Sequence, residues 1–245
     1  MSEIKISQLT VNYKTQKNKV IKAINDLSVT FNDGEFNVII GASGSGKSTL
    51  IKTILGLINY DSGVILLDGA DIQDYSISER NFAYVSQEII LFPHLTVFDN
   101  IAYPLKIRGV DKKTIVEKVN QLAKELDIEE CLSRKPKQIS LGQAQRAAIA
   151  RTLIKNANFY FFDEPFSNLD LPNRELGRHL INKFIKNHHA SAIYITHSIK
   201  EALSMGDRIL VLDEGKILFS GSSKELLNFK NPIISSLISS DDYGK

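Results

Sequence analysis

The sequence predicts an α/β fold with a mostly parallel core sheet, an antiparallel β subdomain at the N-terminus and a helical subdomain inserted into the core. Three patterns predict it. Short β-like runs separated by polar turns fill the first thirty-five residues, apolar residues then recur at helical spacing from about residue 96, and strand-like and helix-like stretches alternate from about residue 159 onward. That last alternation is what a parallel sheet flanked by helices requires.

Taken in order, Ile4 to Val11 and Ser28 to Phe31 are β-like, and Asn32-Asp33-Gly34 is a turn, which suits a small antiparallel sheet. Phe36 to Ile40 is an apolar strand, and a helix is expected through Thr49 to Leu55. Val64 to Leu67 and Phe82 to Val85 are further β-like runs. The insertion, placed at about 96–155, rests on Ile115, Val119, Leu122 and Leu126, and then on Ala144, Ala147, Ile149 and Leu153. Strand Phe159 to Phe162, a helix after Pro172, strand Ser191 to Thr196, a helix through Ile199 to Met205 and strand Arg208 to Leu212 complete the core. A short helix and tail are expected over about 222–245. With no internal repeat and no low-complexity linker, residues 1–245 read as a single domain.

Composition narrows the class of protein. At 245 residues and 43% hydrophobic content the chain can bury a sizeable core, and a net charge of +2 argues against a nucleic-acid surface. The single Cys131 excludes an intrachain disulfide, points to a reducing compartment and reads as a small buried hydrophobe. Charged Glu3 and Lys5 without an apolar core behind them argue against a signal peptide. No stretch approaches the roughly 18 apolar residues of a membrane span.

Between the Phe36–Ile40 strand and its helix lies GASGSGKST, residues Gly41 to Thr49, with the form G-x-x-x-x-G-K-[ST]. Strand, glycine loop and helix in this order make a phosphate cradle, so the core is expected to be that of a P-loop NTPase. Gly41, Gly44 and Gly46 let backbone N–H groups turn inward around an anion, with Ser43, Ser45 and Thr49 beside them, and the helix adds its positive end. Lys47, expected as an exposed loop lysine, would reach the outer phosphates, and the Ser48 hydroxyl would ligate Mg²⁺. The second expected element is Asp163-Glu164 at the end of an apolar strand. Strand C-termini of a parallel sheet face the ligand crevice. Asp163 would hold Mg²⁺, and Glu164 could accept a proton from an attacking water.

These residues and four further matches resemble the nucleotide-binding subunit of ATP-binding cassette (ABC) transporters, over nearly the whole chain. Gln87 matches the family's glutamine loop and Ile139-Ser140-Leu141-Gly142-Gln143 its signature loop. Ser167-Asn168-Leu169-Asp170 matches the loop after the second carboxylate, and His197 the switch histidine. Tyr13 lies where the family has an aromatic that stacks on adenine, although a strand aromatic of the small sheet would look the same. The resemblance implies ATP and Mg²⁺ as ligands, with Gln87 on the metal. It implies a head-to-tail pair of ATPase subunits, a homodimer or a pair with a paralogue, in which Ser140, Gly142 and Gln143 of one subunit meet the γ-phosphate held by the other. Without the family, Ser140 would read as an ordinary helix cap. The family usually has glycine where Leu141 stands; leucine is tolerable there if φ is negative and the side chain points away from the nucleotide.

The segments Leu91 to Ile101 and Thr196 to Leu203 are similar to importer ATPases for sugars, polyamines, ferric iron or inorganic anions. That resemblance implies permease subunits in the membrane, an extracytoplasmic solute-binding protein and a peripheral position on the cytoplasmic face. The apolar cluster Ile89, Ile90, Leu91 and Phe92 would suit a permease's coupling helix, or would pack the insertion onto the core. Many sugar- and polyamine-type relatives carry a further regulatory β-domain beyond Asp213-Glu214-Gly215-Lys216. An ATPase of an exporter is the alternative, because direction is not written in the catalytic motifs.

Overall fold

The computed structural model describes residues 2–14, 20–88 and 90–242. Two compact units are built, one from residues 1–82 with 189–245 and the other from residues 83–188.

The first unit opens with β1 (Ile4–Lys14) and β2 (Val20–Phe31), paired antiparallel, and β1 also pairs antiparallel with β4 (Ser62–Leu67), whose other edge carries the short β5 (Ala70–Asp71). Alternation along β1 is broken once. Ile4 and Ile6 face the core, the register then shifts, and Leu9 and Val11 face it again. Gln8, at φ 52, lies in that shift, so an extra residue on one strand returns the apolar side chains to the buried face.

A second sheet in this unit has β3 (Phe36–Ile40) between parallel β8 (Ser191–Ile195) and β9 (Arg208–Asp213), with β10 (Lys216–Gly221) antiparallel to β9. Every residue of β3 and β8 is buried, which is why both read as continuous runs and not as alternations. Helix α1 (Lys47–Ile54) follows β3 and buries Leu50, Ile51 and Ile54. Helices α6 (Ile199–Met205), α7 (Ser223–Asn228) and α8 (Pro232–Asp242) complete the unit. The tail expected after residue 222 therefore carries two helices, and 243–245 lie outside the described residues.

The second unit holds β6 (Phe82–Val85) beside β7 (Phe159–Asp163), together with α2 (Val97–Ile107), α3 (Lys112–Glu125), α4 (Leu141–Leu153) and α5 (Leu171–Asn187). Side-chain caps start three of these helices. The Thr96 hydroxyl accepts from Asp99 N, Asp111 from Thr114 N and Ser140 from Gln143 N. Ile115, Val119 and Leu122 make the buried face of α3, as their spacing predicts. Asn100, fully buried in α2, ties down the preceding loop: its amide nitrogen donates to the carbonyls of Phe92 (3.1 Å) and Thr96 (2.9 Å), and its oxygen accepts from Phe92 N (2.8 Å). Cys131 is buried, and its thiol donates to Ile128 O at 3.1 Å. Burial pushes that thiol's pKa up, which keeps it from acting as a nucleophile. Among the described residues, no helix is long and apolar enough to cross a membrane.

Candidate nucleotide site

The phosphate loop, Tyr13 and His197 belong to the first unit; Gln87, Asp163, Glu164 and the signature loop belong to the second. β3 delivers the chain into the loop and α1 takes it away. Gly46, the N-cap of α1, has φ 105, and a Cβ there would lie 2.3 Å from Ala23 O, so only glycine fits. Gly44, at φ 80, faces open space. The N-cap of α1 makes no side-chain hydrogen bond, unlike those of α2, α3 and α4. The positive end of the helix dipole lies at this loop.

Lys47 is buried, contrary to the expectation of an exposed loop lysine. Its ammonium donates to Gly41 O and Ala42 O, both at 2.8 Å, because the loop curls its carbonyls over the first turn of α1. Ser45 Oγ is buried with no hydrogen-bond partner, Ser48 and Thr49 are half-buried, and Ser43 is exposed. A buried, unpartnered hydroxyl, an uncapped helix start and a lysine held within the loop fit a bound polyphosphate. Tyr13 reaches the same helix: its hydroxyl lies 3.4 Å from Thr49 Oγ1 while the side chain stays 40% exposed, which leaves area for a stacking partner.

In the second unit, β7 is buried along its whole length and ends at Asp163, whose carboxylate accepts a hydrogen bond from Tyr84 of β6 at 3.2 Å. Tyr84 escaped the sequence reading, since strand β6 gave no sign of which side chain would reach across. Glu164 follows at φ 47. Left-handed backbone is rare for glutamate and costs roughly 1–2 kcal/mol, so the surrounding structure holds it there. Its carbonyl accepts from Ser167 N at 3.2 Å. The buried Gln145 of α4 donates from its side-chain amide to Pro165 O, and Arg174 of α5 donates to Leu169 O at 3.1 Å. Gln87, exposed after β6, donates to Ser167 Oγ at 3.3 Å. The glutamine loop and the loop after Glu164 are brought together in this way.

The signature loop is folded as a capping box at the start of α4. Ser140 Oγ accepts from Gln143 N (3.1 Å), Gln143 Oε1 accepts from Ser140 N (3.0 Å), and Gln143 Nε2 donates to Glu130 (2.9 Å). The ordinary reading of Ser140 as a cap is therefore realised in this chain. Leu141 is the first helical residue and is absent from the positive-φ residues, which meets the backbone half of the expectation, and it is 55% exposed. Gly142 packs against α5: a Cβ there would lie 2.7 Å from Asn173 Oδ1, so a larger residue would require that side chain to shift. His197 is exposed just beyond β8. Of the apolar cluster, Ile90 is 56% exposed, whereas Phe92 is half-buried with its ring 4.7 Å from Tyr103 and under the Arg151 guanidinium. Ile89 lies outside the described residues.

Residues 24–167 match the ABC transporter family. The chain belongs to that family. Among its relatives is the molybdate/tungstate import ATP-binding protein of Pyrococcus horikoshii, 38% identical over 225 residues, covering 92% of this chain and 64% of that protein. Another is the sn-glycerol-3-phosphate import ATP-binding protein of Vibrio cholerae, 40% identical over 205 residues, covering 84% of this chain and 55% of that protein. This ABC chain thus spans about two thirds or less of the curated relatives it matches. A dimeric ATP-binding cassette, solved in a post-hydrolysis state with ADP and Pi, superposes with a TM-score of 0.79 at 28% identity, covering 90% of this chain and 98% of that one.

Proposed function

We propose that this ABC chain is the ATP-hydrolysing subunit of a membrane importer and works as a head-to-tail pair around two ATP·Mg²⁺. The observation that carries the ATP site is the phosphate loop itself: a buried Lys47 beside an uncapped helix start and an unpartnered Ser45 hydroxyl. Gly41, Ser43, Gly44, Ser45, Gly46 and Thr49 line the phosphates, Lys47 takes charge from the outer ones, and Tyr13 stacks on the base. Ser48, Gln87 and Asp163 would hold the metal, which would supply positive charge to the triphosphate. Glu164 accepts the proton of the attacking water as its oxygen bonds to the γ-phosphorus and ADP leaves, while His197 orients the water. Ser140, Gly142 and Gln143 serve the γ-phosphate of the second subunit.

The import direction rests on the relatives' names, which call them import ATP-binding proteins; the permease and the solute-binding protein rest on the family resemblance. Attachment to the cytoplasmic face through the permease follows from the same reading.

Glu164→Gln tests the catalytic core. The variant is nearly isosteric but cannot take a proton, so ATP should bind without being consumed, and light scattering should find a dimer with ATP and a monomer with ADP. Adding Ser140→Arg should abolish that dimer while ATP binding persists. Normal turnover in Glu164→Gln overturns the catalytic assignment, and an ATP-locked dimer indifferent to Ser140→Arg overturns the pairing.

A further inference from the structure

From the end of β8 into α6, the segment from Tyr194 to Glu201 is organised around one buried carboxylate. Glu201, in the first turn of α6, is 5% exposed, and its Oε2 accepts the Thr196 hydroxyl at 2.7 Å and the Tyr194 hydroxyl at 3.3 Å. Both donors are buried. Thr196 Oγ1 in turn accepts from Ser198 N at 3.0 Å, and Ser198 Oγ accepts from Glu201 N at 3.3 Å as the N-cap of α6. The backbone is thereby pinned on each side of one residue, His197, whose side chain stays exposed. A carboxylate taking two hydroxyl donors at a helix N-terminus is a strong, well-placed acceptor. Burying a carboxylate is expensive unless it is satisfied, and here the two hydroxyls satisfy it, which ties Glu201 to Thr196 and Tyr194.

Strand register says where that pinned residue stands. Ile39 lies opposite Ile195 in the parallel β3–β8 pair, and Thr196 N donates to Ile39 O at 3.2 Å. Two residues beyond Ile39 is Gly41 and two beyond Ile195 is His197. The clamp on Thr196 therefore fixes His197 at the strand end neighbouring the one from which the phosphate loop springs.

We infer that Glu201 is the positioning residue for His197, acting through the Thr196 hydroxyl and the Ser198 amide. This rests on the proposed role of His197 and extends it inward to a group that touches neither nucleotide nor water.

A double-mutant cycle on ATP turnover tests the inference, using ATP with Mg²⁺ and the full chain. Glu201→Gln keeps the volume but weakens the double acceptor, and Thr196→Val removes the hydroxyl while keeping the shape. Each should lower kcat about tenfold, equivalent to roughly 1.4 kcal/mol, with KM for ATP little changed, and Thr196→Ser should restore kcat. Combined with His197→Ala, neither should lower turnover further, because a residue acting only through His197 has nothing left to act on. Thermal melts of every variant separate loss of fold from loss of positioning. Full additivity with His197→Ala, or a Thr196→Ser variant as poor as Thr196→Val, overturns the inference and leaves the proposed function standing. Wild-type turnover in His197→Ala would instead remove the role of His197 itself, and this inference with it.

Discussion

The Tyr84 hydroxyl donates to the Asp163 carboxylate at 3.2 Å, binding the strand that precedes the glutamine loop to the carboxylate that ends β7. Burial pushes the Tyr84 phenol far above its ordinary pKa, and the negative charge of Asp163 adds to the effect. Tyr84 thus remains a donor across any practical assay range. It holds one carboxylate oxygen and so fixes the direction of the other.

Tyr84→Phe removes only that donor. Asp163 should then lose its fixed direction, raising the Mg²⁺ concentration for half-maximal ATPase activity several-fold, while metal-free nucleotide affinity stays unchanged. Stability should fall by about 1 kcal/mol, the usual value of one hydrogen bond. A Mg²⁺ titration identical to wild type would show that the bond serves packing alone.

A second expectation separates two neighbouring apolar residues. Phe92 lies against Tyr103 and under Arg151, and its backbone is held by Asn100, so Phe92→Asp would bury a charge and unfold the segment. Ile90, 56% exposed, is the clean probe of a permease surface. Ile90→Asp should leave the melting temperature and basal ATP hydrolysis within error of wild type, yet weaken co-purification with a permease. Undiminished co-purification would exclude Ile90 from the contact.

How much of this was legible in the sequence depends on what each residue answers to. The phosphate-loop motif and the Asp163–Glu164 strand end could be read because each is a contiguous local pattern, a glycine loop between strand and helix and an apolar strand closed by two acids. Strand cores were readable because β3, β7 and β8 are buried along their whole length and are mostly apolar, with Asn37, Asp163 and Ser191 as the polar exceptions. Lys47 was misjudged because its burial depends on how the loop carbonyls close over it, which periodicity does not record. Gln145, Tyr84 and Glu201 left no local signal, since each acts through a partner on another element or across a turn. Gly142 was expected to serve a phosphate, and what the structure gives it is the close approach of the Asn173 side chain, a contact the sequence did not signal.

Acid sensitivity should have an identifiable local source. Asp99, at the start of α2, is held below the usual carboxylate range, first by the Lys106 ammonium at 2.7 Å and then by the Thr96 hydroxyl. Since its folded pKa is depressed, the stabilisation is present above the unfolded value of about 3.9 and is lost as pH falls through the folded value. The pair is partly exposed, so its share is modest. Urea melts from pH 7 down to pH 2.5 should show Asp99→Asn less stable than wild type at pH 7, with the gap closing below about pH 4. A gap of constant size would assign the loss to the helix start and not to the charge.

The last expectation concerns Lys47, where burial alters what a substitution reports. Lys47→Ala would remove both the ammonium and the stem that fills the loop, and would leave Gly41 O and Ala42 O without their donor. Loss of activity in that variant would therefore mix chemistry with a local collapse costing roughly 1–3 kcal/mol. Lys47→Met keeps the length and apolar stem and deletes only the charge. Its melting temperature without nucleotide should fall by a few degrees. ATP hydrolysis should fall by about a hundredfold or more, because the charge proposed to meet the outer phosphates is gone. Lys47→Arg, which keeps the charge but spreads it over a wider planar group, should recover stability and little of the turnover. Should Lys47→Met hydrolyse ATP at the wild-type rate, the loop would hold its lysine for the fold alone, and the outer phosphates would need another cation.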